Sequence, residues 1–196
     1  MNQNENDADN EFDDLEKEFE RLTDEFLNRK KYSELNCDII KTITDDKLEQ
    51  AIVDFIGLKI KEDWENDVVK VPMLGAGFSA IYFLSNLETE VNNGGFNQMF
   101  YNSGKEAVVM AKMGAELLGM SELAAIIATA LQIAENESGK MDVVKKVGTL
   151  EAFMESYDDI SFDAADNAFF ELKIDFSKPK AAFIREHCHL FEGRVS

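Results

Sequence analysis

Apolar side chains recur at intervals of three and four residues along most of this chain, and no sustained run alternates apolar with polar positions. The clearest instance is Phe12, Leu15, Phe19, Leu22 and Phe26. That spacing places them on one face of an α-helix, predicted from Phe12 to about Lys31. Arg29, Lys30 and Lys31 close it, where cations suit the helix dipole. Thr44 reads as an N-cap, with Asp45 and Asp46 in the first turn of a helix that carries Leu48, Ile52, Phe55 and Ile56 to about Lys61. Pro72 cannot sit in a helix interior and marks a break. Leu74, Phe78, Ile81, Tyr82 and Leu84 open the next apolar face, which runs to Val91. Gly119 separates helices expected from Lys105 to Leu118 and from Ser121 to Glu135. Three more are expected from Asp142 to Tyr157, Phe162 to Leu172 and Lys178 to Phe191, the last with Pro179 at its first position. The class is all-α, a compact multi-helix domain of about eight helices.

Met1 to Asn10 hold no apolar side chain after Met1 except Ala8, too little to offset ordering entropy, so an acidic disordered tail is expected there. No linker interrupts residues 11–196, which are expected to form one domain. Thirty-nine acids against twenty bases leave a formal charge of −19. Phosphates would be repelled, which disfavours nucleic acid and anionic membrane as direct partners and favours a basic protein. The same charge also serves plain solubility. The longest nearly apolar run, Ala124 to Ala134, is about half the ~20 residues of a membrane span. No secretory leader pattern opens the chain, and the pair Cys37 and Cys188 is not a disulfide framework. Free thiols in a reducing, cytoplasmic setting are expected.

The stretch LETEVNNGGFNQMFYNSG, Leu87 to Gly104, stops one helical pattern and starts another. Asn and Gly enter left-handed backbone at least cost, so Asn92, Asn93, Gly94 and Gly95 read as a helix end and sharp reversal. Phe96, Met99 and Phe100 then return at helical spacing, and Asn102-Ser103-Gly104 makes a second stop. On this reading the asparagines satisfy backbone groups, and Asn93→Ala loosens the fold. The contrasting reading is an enzyme that holds a small ligand in an enclosed polar pocket at this corner, built from Asn92, Asn93 and Gln98 with Tyr101.

The run EVNNGGFNQMFYNS resembles the signature of the bacterial DNA mimic protein family, through Glu90, Val91, Asn92, Asn93, Gly94, Gly95, Phe96, Gln98, Phe100, Asn102 and Ser103. AVVMAKMGAELLG resembles the family's Ala-rich helix. SFDAADNAFFEL is similar to a later helix through Phe162, Asp166, Phe169 and Phe170, and AAFIREHCHLF to the closing segment through Phe183, Ile184, Arg185 and His187. The likeness covers about residues 74–191. It implies an all-α fold, a homodimer and, from the family's characterised member, inhibition of a DNA-binding regulator through an acidic surface; neither catalysis nor a cofactor is expected. The motif residues would then hold the scaffold.

A mimic must set carboxylates where phosphates lie. Asp13, Glu16, Glu20 and Asp24 advance by three or four positions away from the Phe12 stripe, which spaces them ~4.5–6 Å along the axis. Phosphates on one strand advance ~3.4 Å per step. Glu62, Asp63, Glu65 and Asp67 form a second cluster, and Asp158, Asp159, Asp163 and Asp166 a third. Lys17 and Arg21 interrupt the first row with intrahelical pairs, and Asp166 can serve a helix start locally. An immunity-type inhibitor of a basic nuclease toxin would use the same rows. Gly75-Ala76-Gly77 half matches a dinucleotide loop but follows no strand, so close helix packing is expected there. His187 and His189, the two histidines, flank Cys188 at spacings that share no helix face, and a tetrahedral metal site would need further ligands from elsewhere, with Cys37 a distant candidate. No metal or catalytic residue is assigned.

Overall fold

The computed structural model describes the backbone of residues 3–137 and 161–195, with side chains from residue 15 onward. The helix expected from Asp142 to Tyr157 lies outside the described residues. The chain divides into two units, Met1–Lys31 and Tyr32–Ser196, where the sequence suggested one domain from residue 11.

The first unit is one helix, α1 (Gln3–Leu27). Its backbone is already helical from Gln3, across residues read in the sequence as a disordered tail. Helical hydrogen bonds extend the Phe12 pattern backwards because nothing in those residues, neither Pro nor Gly, breaks it. Arg29 closes the far end, donating to the Phe26 carbonyl and lying 3.7 Å from the centre of the Phe26 ring.

The second unit is built on α2 (Cys37–Thr42), α3 (Asp45–Ile60), α4 (Asp67–Lys70), α5 (Ala76–Leu117), α6 (Ser121–Asn136), α7 (Asp163–Glu171) and α8 (Ser177–Glu186). The all-α class holds, with eight α-helices among the described residues. α3 starts after Thr44 and ends where Lys61 turns left-handed, close to the bounds read from the pattern. α5 bends sharply at Gly94-Gly95 and again at Gly104, so that it runs as three helical segments. The third segment folds back on the first: a Cβ on Gly114 would sit 3.0 Å from the Ala80 carbonyl oxygen. α6 packs along α5, and α8 lies across α3. The core they enclose includes Leu48, Ile52, Phe55, Phe78, Ile81, Leu87, Phe96, Phe100, Val108, Ile127, Phe169, Ile184 and Phe191. Gly77 meets the side chain of Leu190, where an added Cβ would lie 2.8 Å from Leu190 Cβ, so the Gly-rich turn serves close packing.

The two ends of this unit are tied together. β1 (Glu34–Leu35) pairs antiparallel with β2 (Gly193–Arg194). α8 ends at Glu186 rather than Phe191, and a 3-10 turn over Cys188–Phe191 follows it. That turn brings Cys188 to Cys37 at the start of α2, with Cα atoms 5.0 Å apart, and the two form a disulfide. The expectation of two free thiols is therefore corrected. The pairing spans 151 positions, and only the packing of α2 beside the C-terminal turn creates it. Arg185 reinforces the junction: it donates to the carbonyls of Ile40 (2.6 Å) and Ile43 and to Asp45 Oδ1 (2.7 Å).

Closing so long a loop removes about 3–5 kcal/mol of unfolded-chain entropy. Cys188→Ser should lower the urea midpoint accordingly. Wild-type protein in dithiothreitol should fall to the same midpoint, and denatured unreduced protein should yield no free thiol.

Candidate functional site

Leu84, Leu87 and Val91 are buried on the first segment of α5, and Phe96, Met99 and Phe100 on the second. Both faces reach one core because the backbone turns between them. Gly95 makes the turn at φ +68° and ψ −174°, a region closed in practice to side chains with a Cβ. An added Cβ there would also lie 2.7 Å from Asp166 Oδ2. The turn frees the Phe96 backbone N–H, which donates to Asp166 Oδ1 at 2.8 Å. The Phe96 ring meets Phe169 edge-on at 6.2 Å, and Phe100 stacks on Phe162 at 5.2 Å. α7 thus receives the corner through one hydrogen bond and an aromatic cluster.

Glu90 joins the segments from the other side. Its Oε2 accepts from Gln98 Nε2 at 2.9 Å and from Asn102 Nδ2 at 2.7 Å. Asn86 donates to Ser103 Oγ at 2.9 Å. Asn92 and Asn93 are exposed, and neither closes the bend. The expectation that they satisfy the freed backbone is corrected: the Gly95 angles and the Asp166 carboxylate do so. The sequence offers Asp166 as a clustered acid or a local helix start, and no local pattern links it to Phe96, seventy positions away. Burial raises its pKa; the Phe96 N–H opposes that shift, and the neighbouring Asp163 adds to it.

The proposed acidic rows divide by how much of each carboxylate the fold uses. On α1, Glu16, Glu20 and Asp24 are exposed, while Arg21 bridges Glu18 and Glu25 at 2.6 Å each. The Asp13 side chain, Asp158 and Asp159 lie outside the described residues. In the second cluster, Glu62 accepts from Trp64 Nε1 at 3.0 Å. Asp63 accepts from Lys70 and from Asn66, which together hold its pKa below the usual range. Asp67 accepts from Tyr82 Oη at 2.7 Å. Burial, with Asp67 beside it, pushes the Tyr82 hydroxyl pKa upward. Glu65 is exposed, as is Asp163 at the start of α7.

One charged group went unnoticed in the sequence. Lys180 on α8 is 1 % exposed and donates to Glu49 on α3 at 2.6 Å and to Glu88 on α5 at 2.7 Å. Three helices meet on that ammonium. Nothing in its sequence context, Lys-Pro-Lys, separates it from a surface lysine. Beside it, Asp46, Glu49, Gln50, Tyr82, Ser85 and Asn86 line an open groove of about 430 Å³ between α3 and α5. A second groove, about 460 Å³, lies between α6 and α7. Neither is lined by residues of the Asn92–Tyr101 corner. Among the described residues, no group of three or more His, Cys, Asp or Glu is placed to hold a metal ion.

A family model described as DMP19-like protein matches residues 75–187, more than half of the chain. The chain belongs to the DMP19-like protein family. This is a family of DNA mimic proteins, as the signature at Glu90 to Ser103 implied. Comparisons with curated proteins and with solved structures give no match. The DMP19-like segment contains the corner, α6, α7 and α8, and it stops short of both cysteines and of α1. Within it, seventeen acids face nine bases, so the excess negative charge is not confined to the N-terminal helix.

Gly95→Ala should cost about 1–3 kcal/mol from the backbone alone, and more once the Cβ meets Asp166. Asn93→Ala should change the thermal midpoint little, since its side chain is exposed. Urea titrations of the two variants separate these outcomes. The raised Asp166 pKa has a definite sign in stability. The folded state binds this proton more tightly than the unfolded chain, so the contribution is favourable at low pH and is lost as pH rises through the folded-state value. Asp166→Asn keeps an acceptor for the Phe96 N–H and removes the buried charge. It should therefore flatten that part of the stability–pH curve and leave neutral-pH stability equal or higher.

Proposed function

We propose that this DMP19-like chain binds a basic DNA-binding protein and blocks that protein's access to DNA, with carboxylates standing in for phosphates. The family match over residues 75–187 carries the reading. Exposed Glu16, Glu20, Asp24, Glu65 and Asp163 support it, because their charges are not drawn into the internal pairs described above. Asp63 and Asp67 contribute less, being held by Lys70 and Tyr82. A partner's lysines and arginines would read such groups without reference to base sequence. The function needs no catalysis, in keeping with the family. We take the working form to be a homodimer; the Cys37–Cys188 bond favours an oxidising compartment over the reducing cytoplasm expected from free thiols.

The test is retention of purified bacterial repressors and nucleases on immobilised protein at low ionic strength. Binding of a repressor should fall steeply between about 50 and 200 mM salt and be displaced by its operator duplex. Retention of a nuclease in place of any repressor would assign the immunity-type alternative. Failure to retain either class would end the mimic reading.

A further inference from the structure

The groove of about 430 Å³ between α3 and α5 offers a one-sided set of hydrogen-bonding groups. Asp46 and Glu49 stand on its α3 wall, three residues and ~4.5 Å apart along the helix axis. Every hydroxyl in the lining has already spent its one proton on the protein. Tyr82 Oη donates to Asp67 at 2.7 Å, and Thr89 Oγ1 to the Ser85 carbonyl at 2.9 Å. Ser85 Oγ donates to the Ile81 carbonyl at 2.7 Å and to Glu49. Both amides give an N–H to a group outside the lining: Gln50 Nε2 to Asp54 and Asn86 Nδ2 to Ser103 Oγ, each at 2.9 Å. Among the described residues no Lys, Arg or His lines the groove. Lys180, bound to Glu49 and Glu88, is 1 % exposed.

What is left for a ligand is mainly acceptors: carboxylate, hydroxyl and amide oxygens. A negative, accepting surface is complementary to a group that is positive and only donates. Ammonium and guanidinium are such groups. A metal ion fits less well, because among the described residues no group of three or more His, Cys, Asp or Glu is placed to hold one. The lining from Asp46 to Val53 extends ~10 Å along α3, and Val53 adds an apolar contact, which suits an alkyl chain better than a compact ion.

We propose that this groove binds an organic cation, an unbranched alkyl chain ended by an ammonium or guanidinium group. Neither Asp46 nor Glu49 belongs to the carboxylate rows invoked for DNA mimicry, and the α3 wall lies outside the residues matched by the family, so the site stands apart from that role. The same chemistry arrives on a free amine or on a lysine or arginine side chain.

The chain's single tryptophan, Trp64, stacks on Tyr82 at 5.8 Å and so reports on the groove. Full-length protein at fixed ionic strength is titrated with agmatine, with N-acetylarginine amide as the side-chain form and with butanediol as the neutral control, by tryptophan fluorescence and by calorimetry in parallel. At least one cation should bind saturably and the diol should not; the tighter of the two cations tells a free amine from a protein side chain. Thr89→Lys, at an exposed position, sets an ammonium in the groove. It should abolish saturation while leaving the thermal midpoint unchanged. Asp46→Asn should weaken binding at least fivefold, whereas Asp163→Asn, an exposed carboxylate outside the groove, should leave it unchanged. Three results would overturn the proposal: no saturable binding of either cation by either method, equal binding of the diol, or equal weakening by Asp46→Asn and Asp163→Asn, which would reduce the effect to diffuse attraction by net charge.

Discussion

Phe96 begins a helical segment with its backbone N–H turned away from the preceding helix, and a carboxylate seventy positions later accepts it. A helix N-terminus inside a protein must find acceptors for such groups or lose the energy of burying them. Here the acceptor is Asp166, and supplying it fixes α7 against the corner. The phenylalanines of both elements then meet as one cluster. Gly95 permits this approach twice over, through its φ of +68° and through the space its missing Cβ leaves for the Asp166 carboxylate. The order of α5, the position of α7 and the aromatic core between them depend on that contact.

The charges of this chain do two kinds of work. Some organise the interior: Lys180 gathers Glu49 and Glu88, Arg185 binds the α2–α3 junction, and Glu90 collects Gln98 and Asn102. Removing one partner from a buried set such as that of Lys180 leaves charge uncompensated, which makes these groups structural commitments. Others, such as Glu16, Glu20 and Asp163, face solvent. The paired charges already cancel within the formal charge of −19, so pairing changes where the surface charge lies more than its total. The proposed DNA-mimic role would rest on the exposed subset, whose geometry rather than total charge decides which cationic surface fits.

Much of the helical scaffold was legible before any coordinates. The intervals of three and four marked α1, α3, α5, α6, α7 and α8, and Gly94-Gly95 and Gly104 marked the two bends of α5. These are local signals, carried by side chains within one or two turns of each other. The pairing of β1 with β2 and the Cys37–Cys188 bond were not legible, because each joins residues more than a hundred positions apart, and the six-residue α2, capped locally by Asn36, is too short to show a period. The roles of Asn93 and Asp166 were exchanged for the same reason. An Asn-Gly run advertises a turn, whereas the carboxylate that satisfies the turn can come from anywhere.

By itself the sequence determined the all-α class, the apolar faces, the position of the corner and the family signature, since helix periodicity and glycine conformation are properties of short stretches. Tertiary structure alone decided which carboxylates remain exposed, which lysine is buried and which cysteine finds a partner. Those outcomes turn on distances between helices that no short-range pattern encodes.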